Sequence, residues 1–372
     1  YFIDYASYWL SAWNDIEIAK FTNLRDGIEI SQQLLAVDSP FTNILLEMKD
    51  QLSIIEFSSN ELSDKTNSEN KVLNNLKLIH EIKAVDVNSF NQAFSNLKSS
   101  MTEVLSLNTT WNYDIATAVL AKIEEQDSLS EISPTLKNYQ SNIKRAIKNK
   151  IHKLLRRGWE KEVLPFYQSK IKTKYPFSRR SLNDVTPDDF LLFFGDKGIL
   201  DQYGESYLSF SRGVTSDFTG SKLGINKNLV RQLRLASEIS QSLLTDKSFN
   251  EITIGFKPVF LDKDLKLFKL TLNDSSLVYR HGPQRVSEFS WSPGNPNRDT
   301  RVFFAKSNNE TQSQAYPGRW SLLKLLEPMD KSTNVLPVSV ENNTIKLQVV
   351  ASEQLLTTMS RTFDEFNLDN VF

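Results

Sequence analysis

The chain has 372 residues, 40% of them apolar and 11% aromatic, with 44 Lys+Arg against 45 Asp+Glu. That balance gives no general attraction to nucleic acid or an anionic membrane. With no cysteine, disulfides, thiolate metal sites and thiol nucleophiles are excluded. The length predicts two or three domains. Mean hydropathy is −0.37, and the longest apolar runs fall far short of a membrane span. The lack of cysteine suits a bacterial cytoplasm or a periplasmic segment equally. No signal-peptide pattern follows Tyr1, so the chain reads as a piece of a longer protein, with any anchor upstream.

Residues 1–165 read as a helical domain. Gly27 is the only glycine before Gly158, which leaves little room for tight turns. Tyr5, Tyr8, Trp9 and Trp13 form an aromatic stripe at helical spacing. Ser39-Pro40 is an N-cap followed by proline at the first helical position, opening a helix from Phe41 to about Ile54. Residues 57–70 are polar and patternless, as expected of a loop. Helices are predicted near 71–83, 87–106 and 111–125. Ser133-Pro134 repeats the cap signal and opens a long helix to about Val163.

Residues 166–245 read as a mixed junction region. Within it Thr186, Pro187 and Asp189 form a capping-box-like helix start. Phe190, Phe193 and Phe194 share one face of that helix, and Gly195 is placed to end it in a left-handed conformation. A further amphipathic helix spans Leu229–Leu244. The period then changes to that of strands. These fall at Ile252–Phe256 (ended by Pro258), Leu265–Leu272, Leu277–Tyr279, Glu288–Trp291, Arg301–Ala305, Pro337–Val340 and Thr344–Val350. Short strands broken by turns predict a β-sandwich over 246–350, interrupted by a helix from Trp320 to Leu326. Residues 351–372 read as a partly helical tail with a loose end. The fold class is therefore α+β: a helical bundle or stalk, then a sandwich.

Chemistry is sparse. His80, His152 and His281 lack the spacing of metal ligands, so no metal site is expected. The pair Asp188-Asp189 is explained by capping and the helix dipole. There is no GxSxG, Walker A, GxGxxG or kinase signature, so neither an enzyme nor a cofactor is expected. The basic run Lys144, Arg145, Lys148, Lys150, Lys153, Arg156, Arg157 and Lys161 lies on an amphipathic helix with core positions Ile143, Ile151, Leu154 and Leu155. A solvated face accounts for it. Contact with an acidic protein, or with nucleic acid, is the alternative.

Four aromatic-and-turn clusters stand out. They are Tyr175-Pro176-Phe177 with Asp189, Phe190 and Phe193-Phe194-Gly195; Tyr279-Arg280-His281-Gly282-Pro283; Phe289-Ser290-Trp291-Ser292-Pro293-Gly294; and Tyr316-Pro317-Gly318-Arg319-Trp320. Buried anchors at strand ends are one reading of the last three, and an aromatic partner-binding surface the other. In order and content these clusters resemble the C-terminal region of the IcmF/TssM family of bacterial type VI secretion, with relatives in type IVB (Dot/Icm) systems. Two departures stand out: Trp291-Ser292-Pro293-Gly294 carries an inserted serine, and Gly318-Arg319-Trp320 replaces a Gly-Pro-Trp.

The resemblance implies a periplasmic part of an inner-membrane protein, anchored upstream, that bridges toward the outer membrane and stabilises the secretion complex. The partners it implies are an outer-membrane lipoprotein of TssJ type, or a DotU-type inner-membrane partner. Nucleic acid is not among them, and a homo-oligomer is open. No catalytic, cofactor or metal residue carries over. Two rivals stay open. One is a periplasmic peptide- or peptidoglycan-binding module with Trp291 and Trp320 exposed on one face. The other is a hydrolase with carboxylates clustered in a cleft.

Overall fold

The computed structural model describes residues 2–53, 71–84, 86–107, 113–125, 134–210, 221, 223–245, 248–295 and 299–372. The polar stretch 57–70 and the cap residue Ser133 lie outside these. The chain divides into two compact units, Tyr1–Leu155 with Ser221–Gly224, and Arg156–Gly220 with Ile225–Phe372.

The first unit is helical, with helices Phe2–Asn14, Leu24–Leu34, Pro40–Ser53, Lys71–Ala84, Val87–Ser106 and Tyr113–Glu124. A further helix, Pro134–Gly158, contributes residues up to Leu155. Trp13, Phe41, Phe90, Phe94 and Tyr139 are buried at its centre, with Phe41 and Phe94 edge to face at 5.5 Å. The Tyr139 hydroxyl lies 2.5 Å from Ser31 Oγ and donates to Gly27 O at 3.1 Å, satisfying a polar tip among rings. A Cβ on Gly27 would stand 2.7 Å from both Met101 Sδ and the Phe21 ring, so a larger residue would push these side chains apart. Of the N-terminal stripe, Trp13 is wholly buried while Tyr8 faces solvent. On Pro134–Gly158 the expected face is inward at Ile143, Ile151 and Leu155, but Leu154 is only half-buried.

The predicted end of that long helix near Val163 is overrun. Helical backbone continues from Trp159 to Ile171, with π-type turns at Trp159–Val163 and Tyr167–Ile171 around Leu164–Phe166. Pro165 has no N–H to give, and the Leu164 N–H bonds to Trp159 O five residues back. The widened turn lets the helix absorb the proline.

In the second unit, helices Pro187–Phe194, Ile199–Tyr203 and Lys227–Leu243 precede the strands. A small hairpin pairs β1 (Leu244–Thr245) with β2 (Ser248–Phe249). Two four-stranded antiparallel sheets follow. One has the order β6-β3-β10-β9: β6 Ser287–Trp291, β3 Ile252–Leu261, β10 Asn343–Val350 and β9 Val335–Val340. The other is β5-β4-β7-β8: β5 Ser275–Tyr279, β4 Leu265–Leu272, β7 Thr300–Lys306 and β8 Thr311–Tyr316. Their inward positions, among them Phe256, Phe289, Leu347, Phe268, Leu270 and Phe304, are buried, as in a sandwich.

Pro258 does not end β3. It sits opposite Leu347, where the register with β10 slips, and beyond Phe256, the last residue paired with β6. A missing N–H is tolerated at such an irregular edge, and proline and bulge together blunt it against stray pairing. Strand β8 was not anticipated, because Thr311–Tyr316 is neutral, polar and without alternation.

The end of the chain is not loose. Helix Glu353–Thr357 runs through a π-type turn into Phe363–Glu365. Phe363, Phe366, Leu368 and Val371 beyond it are buried. Gln232 holds this segment from both ends of its amide, donating to Glu365 O at 3.1 Å and accepting from Asn367 N–H at 2.8 Å. Lys172–Asp369 and Arg231–Glu365 pairs, both 2.5 Å, add to it.

Candidate functional site

The motif residues of the second unit gather into one aromatic knot. Tyr175 N–H donates to Asn183 O at 2.9 Å and Val185 N–H to Tyr175 O at 2.8 Å, closing a loop whose Tyr175-Pro176 bond is cis. The loop places Phe177 flat on Phe194, with centroids 5.5 Å apart and planes 6° apart. Phe177 also meets Phe363 at 5.3 Å and Phe366 at 5.6 Å.

Helix Pro187–Phe194 begins as its sequence dictates, with Thr186 Oγ1 accepting from Asp189 N–H at 3.1 Å. The box is only half made, since the Asp189 carboxylate turns to Lys174 Nζ at 3.3 Å. Gly195 is not left-handed. Its φ is −75° and ψ 172°, and glycine is required there because a Cβ would stand 2.4 Å from Leu191 O. Phe190 touches Trp320 at 5.3 Å, and Phe193 stacks on Phe166 at 5.8 Å.

The sandwich delivers the other half. Trp320, wholly buried, donates its indole N–H to Val185 O at 2.9 Å and lies 6.2 Å from Trp291. Lys324 Nζ reaches Asp184 Oδ1 and Pro317 O, both at 2.8 Å, and sits 5.0 Å over the Tyr175 ring. Gly318 has φ +89°, and a Cβ would fall 2.3 Å from Asp184 Oδ2. Where the sequence departs from Gly-Pro-Trp, Arg319 donates to Gly294 O at 3.1 Å and Asn295 O at 3.2 Å. It thereby ties the serine-inserted turn to the same cluster. Burial pushes the Tyr175 hydroxyl far above the usual range, and the nearby Glu327 carboxylate adds to this.

His281-Gly282-Pro283 is not brought to the knot. It lies in the β5–β6 connection, where Arg280 to Val286 are all exposed. His281 has φ +56° and its Nε2 is 2.6 Å from Leu265 O, while nothing lies within 4 Å of a Gly282 Cβ.

Lys324, Phe249, Phe363 and Phe366 belong to the knot and were not singled out from sequence. Asp184 and Val185 lie within the stretch from Tyr175 to Gly195 that the sequence marks, and both are in the knot.

Trp291 and Trp320 are 2% and 0% exposed, so these two form no aromatic platform for a glycan or peptide. Among the described residues, no group of three His, Cys, Asp or Glu is placed to hold a metal. None of the described helices is long and apolar enough to cross a membrane.

This arrangement defines a class: a helical region leading into a β-sandwich whose turns are pinned by a dry aromatic cluster. The comparisons with known proteins agree with it. Residues 254–352 match the family model described as "Type VI secretion protein IcmF C2-like domain", and residues 1–53 match that described as "Intracellular multiplication and human macrophage-killing". The "Type VI secretion system component TssM1" of Pseudomonas aeruginosa is 24% identical over 247 residues, covering 63% of this chain and 22% of that protein. This chain thus corresponds to less than a quarter of that relative's length. A chain of a "Type VI secretion system membrane core complex" superposes with a TM-score of 0.60 at 16% identity, covering 98% of this chain and 82% of that one. A chain of a "Type VI membrane complex" gives 0.57 at 15% identity, covering 96% and 77%. Over residues 254–352 and 1–53 the chain is similar to the IcmF/TssM family.

Proposed function

We propose that this chain is the periplasmic part of an inner-membrane IcmF/TssM-type protein. It acts as a non-catalytic scaffold that bridges toward the outer membrane and stabilises a type VI secretion complex through protein contacts. The observation that carries the reading is the C2-like sandwich, whose Trp291 and Trp320 motifs are spent on its own packing while its sheet faces stay open. The relative's printed role in type VI secretion supports that system over type IVB. The partner is the outer-membrane lipoprotein of the same system.

The test is titration of the acyl-free lipoprotein into the 372-residue chain, followed by calorimetry. A saturable one-to-one complex is expected, and absence of binding up to high micromolar overturns the reading.

A further inference from the structure

The outward face of sheet β6-β3-β10-β9 breaks the rule that a solvated sheet face is polar. Alternation along β10 turns Thr344, Lys346, Gln348 and Val350 outward, and the register sets Gly255 beside Val350, Lys257 beside Gln348 and Phe260 beside Lys346. Phe260, Val286 and Val350 are 45%, 47% and 48% exposed. They are not scattered. A Cβ on Gly255 would lie 2.7 Å from Val286 Cγ1 and 3.3 Å from Val350 Cβ, so these two valines flank one glycine and form an apolar centre. Phe260 continues the face along β3, with Lys346 Nζ 5.8 Å above its ring.

Cations ring this apolar centre. Lys257, Lys346 and Arg285 surround the apolar centre, and none of them has an ion-pair partner among the described residues. Glu288, beside Gly255 on β6, is the one carboxylate that the register brings to the centre. The other sheet differs in its apolar content more than in its charge: Lys269 is exposed there too, but Val278 beside it is the one large apolar side chain strongly exposed, and Arg301 is paired with Asp299 at 3.5 Å.

From this geometry we infer that the outward face of β6-β3-β10-β9 docks a protein partner presenting carboxylates around an apolar ridge. The inference rests on the scaffold reading above and names the surface that serves it. A second copy of the chain fits poorly, because a two-fold contact would set Lys257 and Lys346 against themselves. An anionic membrane also fits poorly, because the apolar side chains lie against a flat sheet, each less than half exposed. Interfacial insertion needs groups reaching several Å into the acyl boundary.

The test uses the full chain and the acyl-free lipoprotein. Lys257→Glu/Lys346→Glu and Val350→Asp should each weaken binding, the double charge reversal by roughly a hundredfold with a weaker salt dependence. Lys269→Glu, on the other sheet, should change it less than about twofold. Unchanged melting curves establish that the variants fold, and the double charge variant alters only side chains turned to solvent. Wild-type affinity in the folded double variant overturns the surface but leaves the scaffold reading standing. Failure of the wild-type chain to bind overturns both. Binding of phosphatidylglycerol vesicles that Lys346→Glu abolishes, or self-association that Val350→Asp abolishes, overturns the choice of occupant.

Discussion

The knot and the β5–β6 connection are built from the same kinds of residue, yet they behave as opposites. Trp320-centred packing uses aromatics, a glycine and a lysine to exclude water, down to the indole N–H on Val185 O. Arg280–Val286 uses a histidine, a glycine, a proline and two arginines, and stays wet along its whole length. Aromatic-and-turn composition therefore says that backbone is being constrained, not whether the result is core or surface. What decides is whether long-range partners arrive, as Phe190, Phe249 and Phe363 do for Trp320 but nothing does for Gly282.

Substitutions can break or sharpen this contrast. The largest effect is expected for Trp320→Ala, which empties a buried site and orphans Val185 O. A loss of about 4 kcal/mol in urea unfolding of the second unit is the expected outcome. Gly318→Ala comes next, at about 2 kcal/mol, since it combines a positive φ with a Cβ forced onto Asp184; lowered denaturation midpoints at unchanged slope would show it. The knot also sets an alkaline limit. Tyr167, which packs on Phe193 and Phe366, has its pKa pushed up to about 12, chiefly by burial. The fold thus favours the neutral phenol. Its contribution is fully present below about pH 10 and is lost as pH rises toward 12. Tyr167→Phe should flatten the fall of melting temperature over that window. Gly282→Ala in the loop is expected to cost less than about 0.5 kcal/mol. A larger loss there would show the loop to be structurally constrained after all.

Much of this fold was legible. Pro40, Pro134 and the Thr186 cap mark helix starts because first-turn proline and capping are local chemistry, although Ser39 Oγ makes no capping bond, and alternation places seven strands because burial on one face has period two. The failures share a cause. Pro258 reads as a strand end until the slip against Leu347 is known. Gly195 reads as a left-handed cap until Leu191 O is seen against it. Residues 363–372, rich in Asp, Glu and Asn, read as loose because nothing local announces that Phe366 and Leu368 have core partners far back in the sequence. The motif clusters were visible one by one. Their convergence was not, since Asp184 and Lys324 are 140 residues apart.

The buried tail also sets an order of events during synthesis. The first unit has all its residues once Gly224 has emerged from the ribosome. The second cannot be completed then, because Phe177, Phe194 and Trp159 still lack Phe363, Phe366 and Phe372. The two units are therefore finished at different moments, the helical one once Gly224 has emerged and the sandwich-bearing one only after Phe372 has emerged as well. In between, the half-made knot is an open apolar cleft, the stage at which a chaperone has something to hold.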